Sequence, residues 1–273
     1  MNNEELKIHA QNIRELIIRG TYFAKSGHPG GSLSIADILS VLYFDEMNVD
    51  AKKPDDENRD RFVLSKGHCA PGLYAALSEK GFFDKKEIDS LRHLGSMLQG
   101  HPDMKKIPGV DMSSGSLGQG LSAANGMALF AKVNNKDFRV YTILGDGEIQ
   151  EGQIWEASMT AAHYKLDNLC VIVDNNNLQI DGTVKDVMSP YPIDEKFKAF
   201  GFNVINIDGH NFDEIKSALK AAKETKGKPT AIIAKTIKGK GVSFMENKVN
   251  WHGSAPNEEQ ANLAIKELTG GTL

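Results

Sequence analysis

A chain of 273 residues with 40% hydrophobic side chains can bury one large core and is short for several independent ones. Its net charge of −4 gives no electrostatic pull toward nucleic acid or an anionic membrane, and no stretch has the apolar length of a bilayer span. Two cysteines, Cys69 and Cys170, form neither a disulfide framework nor a metal-type spacing, so a reducing, cytoplasmic compartment is expected.

The amino-terminal segment is amphipathic and charged, with no apolar signal region. Leu6, Ile13, Leu16 and Ile17 form one stripe and predict a first helix of about four turns. It runs into SGHPGG (Ser26–Gly31), where Pro29 and three glycines predict a loop, and Ser34 to Phe44 resumes as helix. Asp45 to Asp60 is a polar connection. Arg61 to Leu64 is the first predicted strand, ending in Ser65-Lys66-Gly67-His68. Helices are predicted at Pro71–Lys80 and Asp84–Leu94, the second with a capping box of Asp84 and Glu87. Gly95 to Ser114 is a long irregular stretch of the kind that tends to be functional. Leu121 to Val133 follows as a helix rich in small residues.

Arg139 to Gly182 is the centre of the chain. Arg139–Leu144 and Asn168–Val173 are buried-strand runs, and Glu151–Tyr164 between them is a helix with Trp155, Met159 and Ala162 on one face. The first strand ends in Gly145-Asp146-Gly147 and the second in Asp174-Asn175-Asn176-Asn177. Open α/β sheets bind ligands at such carboxyl ends. Asp146 offers a carboxylate, Asn176 a side-chain oxygen and Leu178 a backbone carbonyl. One charge over three oxygens is too little for an all-protein calcium cage and suits Mg²⁺ completed by phosphates and water. Asp146 and Asn176 stand 30 residues apart, enough for a helix and a strand to bring two adjacent strand ends together. Beyond this unit the pattern predicts helix at Asp194–Phe200, strand at Phe202–Ile207, helix at Phe212–Ala222, strand at Thr230–Ala234 and helix at Asn257–Leu268. The alternation predicts an α/β fold, an open, mainly parallel sheet with helices on both faces, as a single domain over 1–273.

Gly-Asp-Gly followed about thirty residues later by Asn-Asn resembles the Mg²⁺–thiamine diphosphate motif of thiamine-dependent enzymes. The rest of the chain is similar to the amino-terminal, diphosphate-binding domain of transketolase. The matching stretches are SGHPGGSLS (Ser26–Ser34), LSKGHCAPGLYA (Leu64–Ala75), GHPD (Gly100–Asp103), GSLGQGLSAANG (Gly115–Gly126), DGHN (Asp208–Asn211), KTIKGKGV (Lys235–Val242) and WHG (Trp251–Gly253). They cover nearly all of this chain but only about the first half of a usual transketolase.

The resemblance implies thiamine diphosphate and Mg²⁺ as cofactors, with Ca²⁺ or Mn²⁺ able to substitute, and Asp146, Asn176 and the Leu178 carbonyl as metal ligands. Gly115, Ser116, Leu117, Gly145, Asp146, Gly147, Asn176, His68 and His252 would bind the cofactor, and His28, His101 and His252 would meet sugar hydroxyls or share proton transfer. Glu151 and Glu156 match positions near a subunit contact where carboxylates link two active sites. Ser116 stands where many transketolases carry Pro, and Leu178 where many carry Ile; neither change touches a backbone ligand. Five histidines, His28, His68, His101, His210 and His252, lie in glycine-rich turns and are expected to converge on one pocket; His9, His93 and His163 lie on helical patterns and read as structural.

Two glycine motifs invite other readings. GSLGQG has the order G-x-x-G-x-G and follows a loop, which rejects a dinucleotide fingerprint. KGKG (Lys238–Gly241) lacks the P-loop spacing; it reads either as a mobile basic loop or, by resemblance, as a loop that orders over the cofactor and delivers His252.

The implied activity is transfer of a two-carbon ketol unit from a ketose to an aldose, both sugar phosphates. The domain that binds the aminopyrimidine is absent from this sequence. A partner chain, the C-terminal transketolase subunit, is therefore expected in an α2β2 assembly, with neither nucleic acid nor membrane as partner. Alternatives are a subunit of a deoxyxylulose phosphate synthase-like or 2-oxo acid dehydrogenase-like enzyme, or a non-catalytic binding module. SGHPGG and GSLGQG favour transketolase over the first two.

Overall fold

A computed structural model describes all of residues 1–273. Its centre is a five-stranded, wholly parallel sheet in the order β1-β2-β3-β7-β6. The strands are β1 (Arg61–Leu64), β2 (Val140–Gly145), β3 (Leu169–Asn175), β6 (Asn203–Asp208) and β7 (Thr230–Lys235). Side chains along each strand alternate between two cores. Tyr141, Ile143, Cys170 and Ile172 face one, and Val140, Leu144, Val171 and Val173 the other. Strands buried on both sides read as unbroken apolar runs, which is why β2 and β3 are plain in the sequence.

Helices α1 (Asn3–Ala24), α3 (Ala36–Val41), α4 (Ala70–Lys80), α9 (Phe212–Glu224) and α10 (Glu258–Thr269) cover the first face. On the second lie α5 (Gln119–Val133), α6 (Gly152–His163) and α8 (Ile193–Ala199). The chain lays β1, β2 and β3 side by side, jumps to the far edge for β6 and returns with β7 beside β3. Ligands bind at such reversals, outside the strand ends. The register Gly145↔Asp174 ends β2 and β3 level, so Asp146 and Asn176 emerge next to each other.

Several boundaries differ from expectation. Helix α1 runs 22 residues rather than about four turns. Its last turns pack on the turn Lys85–Ser90, and an added Cβ at Gly20 would stand 3.0 Å from Ile88, so close packing by a small residue continues the helix where the apolar stripe stops. The loop at Ser26–Gly31 is cut short by α2 (Pro29–Leu33), because Pro suits a first helical position. The expected helix Asp84–Leu94 is only a 3₁₀ turn, Lys85–Ser90. Asp84 caps the Lys86 N–H instead of boxing with Glu87. Arg92 then takes a left-handed backbone, which ends any helix, and its guanidinium donates to Ser26 Oγ and the Gly100 carbonyl.

Helix α6 buries Ile154, Ala157, Ser158 and Ala161 rather than the face of Trp155, Met159 and Ala162. Small residues let it lie close to α5, Trp155 packs sideways on Phe197 and Phe200, and Met159 is 55% exposed. After Asn177 come a hairpin, β4 (Leu178–Gln179) with β5 (Gly182–Thr183), and α7 (Val184–Met188), none of them expected. No helix is long and apolar enough to cross a membrane.

Candidate active site

A cavity of about 400 Å³ opens at the carboxyl ends of β2 and β3. Asp146 is buried there. One of its oxygens accepts the N–H of Gly147 at 2.9 Å and the other the N–H of Asn177 at 2.5 Å, which stitches the two strand ends together. Burial first, and the neighbouring Asp174 carboxylate second, push its pKa up to about 7. A divalent ion bound there would offset both effects. Asn176 donates to Asp174 Oδ2 at 2.8 Å, which fixes its amide and turns Oδ1 away from Asp174; that oxygen accepts the Leu178 N–H at 3.1 Å. The Leu178 carbonyl already holds a cation, the Lys238 ammonium at 3.2 Å. One carboxylate, one amide oxygen and one carbonyl that attracts positive charge fit a hard divalent ion.

Beneath these groups lies a buried ion pair. Asp174 is fully enclosed and accepts from Lys66, Ser34, Thr236 and Asn176. Burial opposes its charge, but Lys66 and the hydroxyl donors hold its pKa below the ordinary range. Burial likewise opposes the Lys66 ammonium, and Asp174 more than reverses that. Glu148 is a second buried acid. It accepts from Ser65 at 2.5 Å, Gly118 N–H at 3.0 Å and Gly145 N–H at 3.0 Å, so one carboxylate ties three loops together. The GSLGQG loop can approach only because it is glycine: Gly118 has φ +83°, and a Cβ at Gly120 would fall 2.4 Å from Ser65 Oγ.

Three histidine rings gather on the other wall. His28 lies 5.2 Å from His68 and 5.5 Å from His252 between centroids, and His68 stacks on His252 at 5.1 Å. Burial first, then nearby cations, lowers all three: His28 to about 4, His252 to about 3, His68 well below its ordinary value. Each ring is therefore neutral near pH 7, with one nitrogen to donate and one to accept. Lys238 is 2% exposed, and its ammonium meets His252 Nδ1 at 2.7 Å. Burial lowers it to about 8.

The cavity unites His28, His68, Gly115, Leu117, Gly145, Asp146, Gly147, Glu151, Asn176, Leu178 and His252. Three expected residues stand outside its lining. His101 is exposed, with its ring against Gly115, and Ser116 is exposed on the same loop. Glu156 faces a separate cleft with Gln153, Thr160 and Tyr164. His210, like His101, does not join His28, His68 and His252; it is bonded to Asp37. His9 stacks on Phe44, and His93 bonds the Phe23 carbonyl, both structural contacts as expected. The KGKG loop is not a solvated basic segment, since Lys238 is buried. A larger open groove of about 1400 Å³ runs beyond Asn176 over β3, β7 and β6, but His210 is its only histidine, so the smaller cavity is the candidate site.

Sequence reasoning gave no site role to Lys66, Asp174, Glu148 or Lys238. For Asp174 and Lys66 the available signal was a charged residue closing or shortly following an apolar strand, as in VIVD and FVLSK.

Residues 6–270 match the family model described as transketolase, thiamine diphosphate binding domain. The 6-deoxy-6-sulfo-D-fructose transketolase subunit SqwG of Clostridium sp. (strain MSTE9) is 47% identical, with 97% of this chain and 96% of that one covered. A subunit of the apulose-4-phosphate transketolase of Phocaeicola vulgatus is 42% identical over 98% of this chain and 95% of its own length. Human transketolase is 44% identical over 97% of this chain but only 42% of the human protein. The crystal structure of Campylobacter jejuni transketolase superposes with a TM-score of 0.92 at 38% identity, covering 98% of this chain and 43% of that one. The chain thus spans nearly the whole of the subunit relatives and less than half of the human and Campylobacter enzymes.

Proposed function

The chain belongs to the transketolase family, in its thiamine diphosphate-binding part, and from that premise we propose that it is the amino-terminal subunit of a split transketolase. It transfers a two-carbon ketol unit from a ketose to an aldose, with thiamine diphosphate and Mg²⁺, in the reducing compartment that two free buried cysteines suit. The observation that carries this reading is the meeting, in one cavity, of the Asp146–Asn176–Leu178 oxygens with three neutral histidines.

Asp146, Asn176 Oδ1 and the Leu178 carbonyl would hold the metal, and the Lys238 ammonium and the backbone of Gly115–Leu117 and Gly145–Gly147 would receive the diphosphate. Bound there, thiamine diphosphate supplies the carbon nucleophile and electron sink for breaking a ketose C2–C3 bond. His28, kept neutral by burial, accepts and returns a proton at a sugar hydroxyl, His252, whose Nδ1 faces the Lys238 ammonium, presents Nε2–H as a donor, and His101 stands beside the glycine loop at the edge of the same site. The intact oxygens and rings favour an enzyme over a non-catalytic module. The named relatives favour transketolase over the synthase and dehydrogenase alternatives.

Leu117, Ile180 and Val187 line the cavity yet face solvent, Ile180 at 66% exposure. Apolar residues around an open site suit a partner chain that covers the reactive end. A contact of the obligate kind buries more than about 2,000 Å². The purified chain with Mg²⁺, thiamine diphosphate, xylulose 5-phosphate and ribose 5-phosphate is expected to give no sedoheptulose phosphate. Activity arises when a second polypeptide carrying the pyrimidine-binding domain is added, and a panel including apulose 4-phosphate and 6-deoxy-6-sulfofructose identifies the donor. Robust turnover by the chain alone would overturn the split-subunit reading.

A further inference from the structure

His210 of the DGHN motif lies outside the cavity lining and, unlike exposed His101, is held on both ring nitrogens. Its Nδ1 lies 2.7 Å from Asp37 Oδ2, and its Nε2 accepts the N–H of Ile237 at 2.9 Å. A ring that accepts at Nε2 carries its proton on Nδ1, so a single neutral tautomer satisfies both contacts. Asp37 is held by both terminal nitrogens of Arg14, at 2.9 and 2.6 Å, and Arg14 Nε donates to the Lys240 carbonyl at 3.1 Å. The segment Ile237–Lys240 is therefore gripped at its first N–H by His210 and at its last carbonyl by Arg14. Lys238 lies between the two grips and runs inward to His252 Nδ1 and the Leu178 carbonyl.

We propose that His210 is a positioning residue: braced by Asp37 and Arg14, it sets the backbone of Ile237–Lys240 so that the Lys238 ammonium reaches the His252 ring and the Leu178 carbonyl. Its functional consequence rests on reading the cavity as the cofactor site. The segment has other anchors, Thr236 N–H to Asn175 and Gly239 N–H to Gly30, so loss of His210 shifts it locally and does not release it. Groups that orient a ligating or binding side chain from behind typically contribute about 10–100-fold in affinity or rate.

The test compares His210→Phe, which fills the space without either polar contact, with His210→Gln, whose amide oxygen can accept the Ile237 N–H. The full 273-residue chain, labelled with ¹⁵N histidine, is examined by NMR at one neutral pH. His210 in the unsubstituted chain is expected to show the Nδ1-protonated tautomer. His210→Phe is expected to move the His252 ring nitrogens and leave distant His93 in place, and His210→Gln to restore them. Should His210→Phe fail to fold, seen as movement of every histidine including His93, Asp37→Asn is the second variant and carries the same expectation for His252. His252 signals unchanged in the folded variant, or an Nε2-protonated His210, would overturn the proposal. With the partner chain present, His210→Phe is expected to weaken Mg²⁺–thiamine diphosphate binding about 10–100-fold by calorimetry. If the unsubstituted assembly binds no thiamine diphosphate, the functional reading falls, while the His252 shift still decides the positioning role.

Discussion

Asp146 and the three cavity histidines show how burial sets chemistry one residue at a time. Asp146 is the only carboxylate among the proposed metal ligands, and burial with the neighbouring Asp174 carboxylate raises its pKa to about 7. Asp146→Ala is expected to abolish Mg²⁺-dependent cofactor binding while the fold survives, as read by calorimetry and circular dichroism on the assembled enzyme. Unchanged affinity would remove Asp146 from the site. The histidines give a pH expectation. His28 and His252 are lowered to about 4 and 3 from 6.5, so the unfolded chain binds more protons than the native one between those values. Their contribution to stability is complete above about pH 6.5 and drains away as pH falls toward 4 and 3. Asp146, raised from 3.8 to about 7, acts in the opposite sense, so the histidine share is isolated by substitution. His252→Gln is expected to lose less stability between pH 7 and pH 4.5 than the unsubstituted chain in denaturant melts; parallel curves would show that the ring is not kept neutral by the fold.

Among elements, the GSLGQG loop and the ends of β2 and β3 do the positioning. The strand ends are placed by register, and the loop by what its glycines leave out. A methyl at Gly120 would meet Ser65 Oγ, Cβ and Cα at 2.4 to 2.6 Å, the last of them backbone, so the loop or β1 must move. Gly120→Ala is expected to cost about 1–3 kcal/mol of stability and to weaken cofactor binding, because Ser65 and Gly118 share the Glu148 carboxylate. Denaturant unfolding and calorimetry check the two effects, and a variant as stable as its parent would mean the loop has room to spare. The elements themselves were readable where burial on both sides leaves a continuous apolar run, as in β2 and β3. They were misread where packing rather than hydrophobicity decides. Ala157 and Ala161 are the buried face of α6 because α5 approaches closely, while the larger Met159 stays outside. A hydrophobic periodicity weights Met above Ala and so turned the helix the wrong way.

At the scale of the molecule, that exposed face is itself informative. Met159, 55% exposed, is a large apolar side chain in solvent on the same helix, α6, as Glu156. An exposed apolar side chain there suits contact with a second copy of the chain, under the proposed reading of two such copies with two partner chains. Met159→Glu is expected to shift the chain toward a monomer in analytical ultracentrifugation without altering its circular dichroism; an unchanged sedimentation profile would place the copy contact elsewhere. What the amino-acid sequence determined alone was the parallel α/β architecture and the family, because strand runs and motifs are local and their spacing survives in one dimension; the Asp146–Asn176–Leu178 oxygens it put forward are the proposed metal ligands. Only the tertiary structure decided that His210 braces a neighbouring loop instead of entering the pocket, that Lys238 is buried against His252, and that Lys66 and Asp174 form the charged floor. Those facts depend on which groups are withdrawn from water together. Residues as far apart in the chain as Asp37 and His210, or Lys66 and Asp174, acquire their roles only when packing removes the solvent between them and each must find a partner in the other.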